Sequence, residues 1–200
     1  MQRFITLAFS TLLLLSLNAA TPETHYTVIV SLDGFRWDYP DMYKTPNLNR
    51  MAADGVKAVM LPSYPASTFP NHYTLATGLV PDHHGIINNT FWDVKNRRQY
   101  SMGDSATRNN PEYYFGEPIW ITAQKQGIKT GNMYWVGSDI AIKKSHPTYY
   151  RPWNAKPFLT FKQRIDTVLT WLQKPEPERP RLIMLYFEAV SYTHLRAHET

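Results

Sequence analysis

The chain has 200 residues, of which 43% are hydrophobic and 14% aromatic, and it carries a formal net charge of +5. That is enough chain for one domain with a real core, and the composition excludes a disordered or low-complexity protein. Its basic residues (Lys95, Arg97, Arg98, Lys125, Lys143 and Lys144 among them) are scattered, which argues against a nucleic-acid patch and for a solvated basic surface.

The first twenty residues, "MQRFITLAFSTLLLLSLNAA", place one early cation at Arg3, an apolar run around Leu12 to Leu15, and small residues at Ala19 and Ala20. This is the layout of a secretory signal peptide, and the apolar run is too short to be a comfortable membrane span. Residues 1–20 are therefore expected to be a signal segment on an exported protein, with no other membrane element. No cysteine occurs anywhere, which removes disulfide and thiolate-metal chemistry and suits a bacterial periplasm better than an animal extracellular space.

Along the mature chain, "YTVIVSL" (26–32) has the short β-rich pattern of a buried strand and ends in Asp33-Gly34. A helix is expected from Thr45 to Ala53, and "VKAVMLP" (56–62) is expected to be a second strand. Another helix should begin at Thr68 and stop at Gly78. The segment from Pro81 to Pro118 reads as an irregular, polar and aromatic loop region. Then follow a helix in "PIWITAQKQG", a strand in "KTGNMYWVG", an amphipathic helix in "FLTFKQRIDTVLTWLQK" and a strand in "RLIMLYFE". This alternation predicts an α/β fold, a mostly parallel sheet with helices on both faces. Ligands gather beyond the carboxyl ends of such strands, so Asp33 and Thr68 should meet at one edge.

Each candidate has a plain structural reading. Thr68 could be an N-cap, with Pro70 in the first turn. Asp33-Gly34, Asn88-Asn89 and Asp82-His83-His84-Gly85 could all be turns, and Asn88-Asn89-Thr90 also fits a glycosylation sequon. His72, one helical turn after Thr68, could face the site but reads better as structural. In combination, a hydroxyl at a helix N-terminus lies in a field that favours anions. A carboxylate opposite could hold a divalent cation that activates the same oxygen. Asn89 could donate to a phosphoryl oxygen.

The stretches "VIVSLDGFRWDY", "PSYPASTFPNHYTLATGLVPDHHGIINNTFWD", "MYWVGSD" and "LIMLYFEA" together resemble the nucleotide pyrophosphatase/phosphodiesterase family of the alkaline phosphatase superfamily. The resemblance implies an alkaline-phosphatase-like fold and an enzyme with two Zn2+ ions acting on small phosphodiester or nucleotide substrates. It implies that Asp33 is a zinc ligand, and that Thr68 is both a ligand of the same zinc and the nucleophile. It also implies that Asn89 stabilises the phosphoryl oxygens and that Phe69 and Tyr186 flank a substrate base; the plain alternative for both aromatics, and the better one for Tyr186, is core packing. Trp135 and Asp139 belong to the pattern without an assigned role.

Past "LYFE" the family continues toward an Asp and, four residues later, a His that ligate the second zinc. Here Ser191 and Leu195 take those positions, and His194 is one place out of register. The tail "VSYTHLRAHET" reads as a translated sequencing adapter, so residues 190–200 are expected to be non-natural and residues 21–189 to be the N-terminal part of a catalytic domain. The polypeptide as written is then expected to be inactive, and its last strand to expose a sheet edge prone to aggregation. The rival readings are a phosphomonoesterase of the same superfamily and a non-catalytic binding protein on the same fold. A sulfatase is disfavoured, because no Cys is present and Thr stands at the nucleophile position.

Overall fold

The computed structural model describes residues 24–188, so the expected signal segment and the expected non-natural tail both lie outside the described residues. In chain order the elements are β1 (Thr27–Leu32), α1 (Tyr39–Met42), α2 (Pro46–Asp54), α3 (Thr68–Thr77), α4 (Pro81–His84), β2 (Thr90–Asp93) and β3 (Arg98–Ser101). They continue with α5 (Ser105–Arg108), α6 (Ile119–Lys125), β4 (Thr130–Met133), β5 (Tyr149–Arg151), α7 (Phe161–Leu172) and β6 (Leu182–Phe187). Strands β1, β6, β4 and β5 lie in that order in one sheet, every pair parallel, while β2 and β3 form a separate antiparallel hairpin.

The continuous apolar run of β6 is the signature of a strand covered on both faces, and all six of its residues are buried. This corrects the expectation that the last strand would be an exposed edge. β6 pairs with β1 on one side and β4 on the other, so among the described residues β1 and β5 are the edge strands, and Val30 of β1 remains 52% exposed.

Register decides which helix covers which face. Ser31 pairs with Tyr186, and both side chains meet His72 of α3. On the opposite face Phe187 packs edge-on against Phe161 of α7. Gly131 of β4 runs beneath Trp171 of α7, where an added Cβ would lie 2.8 Å from the indole. Helices thus cover both faces, as the alternating pattern implied. Helix α7 is started by a capping box between Thr160 and Gln163 and buries Arg164, Val168 and Trp171, spaced to share one face. Its Phe161, Ile165 and Leu169 form a second apolar row that stays exposed.

Two expectations fail here. Residues 56–62 form no strand; Val56 and Leu61 are almost fully exposed, and no strand among the described residues pairs with them. The Pro81–Pro118 region is more ordered than a loop, since it contains α4, the β2–β3 hairpin and α5. Phe91 and Tyr100 stack across that hairpin and anchor it to Tyr113.

Arg164 is the most unusual core residue, 1% exposed. Its guanidinium makes a bidentate pair with Glu188, donates to the Tyr186 carbonyl at 3.1 Å, and sits over the rings of Tyr134, Phe158 and Phe161. The pair ties α7 to the carboxyl end of β6. Removing one partner of a buried ion pair strands the other, so Arg164→Ala should lower the unfolding free energy by about 3–5 kcal/mol in urea titrations. The double change Arg164→Met with Glu188→Leu should recover most of that loss.

Candidate active site

At the carboxyl edge of the sheet the chain leaves β1 through a tight turn. Phe35 N–H donates to the Leu32 carbonyl at 3.1 Å, and Gly34 takes φ 73° at the turn position that requires a left-handed residue. Asp33 N–H extends the ladder to the Phe187 carbonyl at 2.9 Å, which fixes the Asp33 side chain at the strand end. The Thr68 hydroxyl donates to Asp33 Oδ2 at 3.1 Å, and the Tyr186 hydroxyl donates to the same oxygen at 2.8 Å. Asp33 and Thr68 therefore meet at one edge, as anticipated, although no strand precedes Thr68.

Thr68 is not the cap of its helix. Ser67 holds the N-cap position in extended conformation, and Thr68 is the first helical residue. The correction has a local cause. A capping serine accepts from the N–H of the second or third helical residue. Here the third is Pro70, which has no N–H, and the second, Phe69, donates instead to Asn89 Oδ1 at 2.9 Å. The capping acceptor thus comes from a loop twenty residues away. Because Phe69 N–H needs an acceptor, oxygen must face the helix and the Asn89 NH2 group is turned away from it. Asn88 Oδ1 accepts from Asn89 N–H at 2.8 Å, a local bond within a bend rather than a hydrogen-bonded turn.

His72 is buried, and both its ring nitrogens are used. Nδ1–H donates to the Thr68 carbonyl at 2.7 Å, so Nε2 is left to accept from the Ser31 hydroxyl at 2.8 Å. Trp135 Nε1–H donates to the His72 carbonyl at 3.1 Å, which gives Trp135 a bracing role. His83 and His84 belong to α4 rather than to a loop. His84 is fully buried; its Nδ1 accepts from Ile86 N–H and its Nε2–H points at Thr74 Oγ1 and the Pro70 carbonyl.

Asp33, Thr68, Phe69, Asn89 and Tyr186 all line one cavity of about 1000 Å3. Phe69 is half-buried, facing the cavity while packing on the core. Tyr186 is 5% exposed, its ring held edge-on to His72 at 4.9 Å, so in addition to lining the cavity it orients the Asp33 carboxylate. Asp139 also lines the cavity, and its Oδ2 accepts from Trp153 N–H at 3.3 Å.

A profile of the "Type I phosphodiesterase / nucleotide pyrophosphatase" family matches residues 27–197. The chain belongs to this family. It is 42% identical over 164 residues to bovine (Bos taurus) ectonucleotide pyrophosphatase/phosphodiesterase family member 3, and 43% identical over 169 residues to human (Homo sapiens) family member 1. It is 40% identical to venom phosphodiesterase 2 of Crotalus adamanteus. These alignments cover 80%, 83% and 80% of this chain but only 18%, 18% and 20% of the relatives. Among solved structures, murine ectonucleotide pyrophosphatase/phosphodiesterase 5 superposes with a TM-score of 0.76 at 33% identity, over 84% of this chain and 44% of that one. An inactive threonine-to-alanine form of that murine protein, in complex with AMP, matches equally well at 32% identity. The chain thus spans about a fifth of the length of the curated family members.

Several residues lining this phosphodiesterase-family cavity gave no signal in the sequence. Arg108 at the end of α5, Arg151 at the end of β5 and Trp153 in the turn after it share the wall. Arg108 is largely tied down by the Met102 carbonyl and Asn109 Oδ1. Arg151 Nη2 donates to the Pro157 carbonyl, while its buried Nε has no partner among the described residues.

Burial lowers the pKa of both His72 and His84 from the ordinary 6.5. Each is neutral when folded and takes up a proton more readily when unfolded, so the unfolded state binds more protons between the depressed value and 6.5. Stability is accordingly full above about pH 6.5 and falls as the pH drops toward the depressed values. Urea midpoints recorded between pH 7.5 and 5 should fall with acid, and His84→Gln should flatten that dependence.

Proposed function

We propose that the protein is an exported, metal-dependent phosphodiesterase or nucleotide pyrophosphatase, acting on small phosphodiester or nucleotide substrates with Thr68 as nucleophile. The observation that carries this reading is the Thr68 hydroxyl, set at the start of a ten-residue helix and hydrogen-bonded to Asp33 inside the cavity. The field of the helix terminus favours both a bound phosphoryl group and an anionic oxygen at Thr68. Thr68 Oγ1 attacks phosphorus in line; the Oγ1–P bond forms as the bond to the leaving oxygen breaks. The hydroxyl proton is displaced from its hydrogen bond to Asp33 Oδ2 and passes to solvent, so that the carboxylate stays ionised. Two donors serve the remaining phosphoryl oxygens: the outward-turned Asn89 NH2 group and the Thr68 N–H, which as the first of its helix has no intrahelical acceptor. Water then attacks the phosphothreonine ester from the side the leaving group vacated and regenerates the hydroxyl. Phe69 and Tyr186 are the aromatics proposed to flank a nucleotide base.

Two Zn2+ ions are part of the proposal. Asp33 Oδ2 and Thr68 Oγ1, 3.1 Å apart, are oxygen donors suited to one such ion. His72 is not a further ligand, because both its nitrogens are engaged. Among the described residues no group of three or more His, Cys, Asp or Glu converges, so the three protein ligands usual for a catalytic zinc are not completed there. Bound zinc would supply charge neutralisation and a lowered pKa for the attacking oxygen. We accordingly propose that residues 24–188 alone do not turn over substrate.

The family match, and the inactive threonine-to-alanine relative solved with AMP, support a threonine-dependent reaction on nucleotide-type substrates. The relatives named as ectoenzymes and venom enzymes support export, and no helix among the described residues is long and apolar enough to cross a membrane. The test uses the longest natural form of the protein and a nitrophenyl nucleotide ester. Thr68→Ala should reduce turnover by at least ~10³-fold, as loss of a nucleophile does. Chelation should abolish activity and added zinc should restore it. Wild-type turnover in Thr68→Ala would overturn the nucleophile assignment.

A further inference from the structure

Two polar side chains beside the cavity take no part in the proposed reaction, yet they hold the groups that do. Ser67 is the N-cap of α3, and its hydroxyl makes no capping bond, because Pro70 offers no N–H and Phe69 N–H is already taken by Asn89. The hydroxyl donates instead to Asn88 Oδ1 at 3.1 Å. The same oxygen accepts the Asn89 backbone N–H at 2.8 Å. Two donors aimed at one amide atom identify that atom as oxygen. A closed loop of bonds results: Ser67 to Asn88, Asn88 to the Asn89 backbone, and the Asn89 side chain to Phe69, which lies two residues after Ser67.

We propose that Ser67 and Asn88 are positioning residues, which clamp the 88–89 loop to the start of α3 and thereby hold the Asn89 NH2 group toward the phosphoryl oxygens. The inference rests on the proposed function and goes beyond it by naming what fixes the donor's direction. The clamp matters because a hydrogen-bond donor helps an in-line displacement only when it is already aimed at the developing charge. Among the described residues Asn89 has one side-chain anchor of its own, the bond to Phe69 N–H. Without Asn88 Oδ1, both the Asn89 N–H and the Ser67 hydroxyl lose their acceptor, and the loop can move off the helix. The nucleophile and its donor would then no longer be carried on one rigid unit, and misplacement on the scale of 1 Å costs large factors in rate.

The experiment measures kcat and KM with a nitrophenyl nucleotide ester, in the longest natural form of the protein, for Thr68→Ala, Asn89→Ala, Asn88→Ala, Asn88→Asp, Ser67→Ala and the double change Asn88→Ala with Asn89→Ala. Asn89→Ala should lower kcat by about 10²–10³-fold, as removal of an oxyanion donor does. Asn88→Ala should lower kcat by roughly 10-fold with KM unchanged. Asn88→Asp keeps an oxygen that can accept both bonds and should recover most of that loss. The double variant should be no slower than Asn89→Ala, because Asn88 acts through Asn89. A kcat for Asn88→Ala equal to wild type, or a double variant slowed by the product of the two single effects, would overturn the proposal. Should Asn88→Ala fail to fold, Ser67→Ala decides: a lowered kcat at unchanged KM supports the clamp, and wild-type kcat overturns it. Turnover that survives Thr68→Ala overturns the proposed function as well. Turnover that is lost in Thr68→Ala but intact in Asn88→Ala overturns the clamp alone.

Discussion

The hydrogen bond from Thr68 Oγ1 to Asp33 Oδ2 joins the sheet to the helix that covers it, and most of the site is arranged to keep those two atoms together. A circuit of contacts closes around it. Tyr186 donates to Asp33 from β6; Ser31, paired with Tyr186 on β1, donates to His72; His72 donates to the carbonyl of Thr68. The parallel register of β1 and β6 is the foundation, since a one-residue slip of β1 would turn Ser31 to the α7 face and away from Tyr186 and His72. Arg164 secures that register from the other side by holding the Tyr186 carbonyl and Glu188. A buried cation inside an aromatic cage therefore bears on chemistry at the opposite face.

Helix α3 begins in an unusual way for a physical reason that also suits its function. A helix start leaves N–H groups without intrahelical partners, and a serine cap normally satisfies one of them. With Pro70 at the third position and Asn89 reaching in from a distant loop, Phe69 N–H is satisfied and the Ser67 hydroxyl is released to Asn88. The Thr68 N–H, first of its helix, keeps no intrahelical acceptor.

What was legible in the sequence was mostly local. The Asp33-Gly34 turn, the amphipathic α7, the apolar β6 and the grouping of Asp33 with Thr68 follow from residue pattern and from the rule that ligands gather at the carboxyl ends of parallel strands. The failures were non-local. Residues 56–62 have the composition of a strand, but a strand exists only beside a partner, and none among the described residues lies there. The order that puts β6 in the middle of the sheet is a property of pairing, which no window of the sequence contains. The β2–β3 hairpin escaped because its strands are four residues long and its turn, Val94 to Arg97, lacks the Asn-Gly or Asp-Gly signal of tight hairpins. The cap assigned to Thr68 went wrong by one residue, because the acceptor for Phe69 N–H comes from Asn89, twenty positions away. The positions of Trp153, Arg108 and Arg151 on the cavity wall depend on how separate elements pack, and their local sequence carries no mark of it.

The central claim is that Thr68 becomes covalently bonded to phosphorus. Rapid acid quench of the longest natural form of the protein during turnover of a nucleotide ester, followed by peptide mass spectrometry, tests it directly. The account predicts a phosphoester adduct on Thr68, in the peptide that also carries Phe69 and Asn71, forming and decaying fast enough to sustain turnover. Steady turnover with no adduct on Thr68, or with the adduct on another residue, would contradict it.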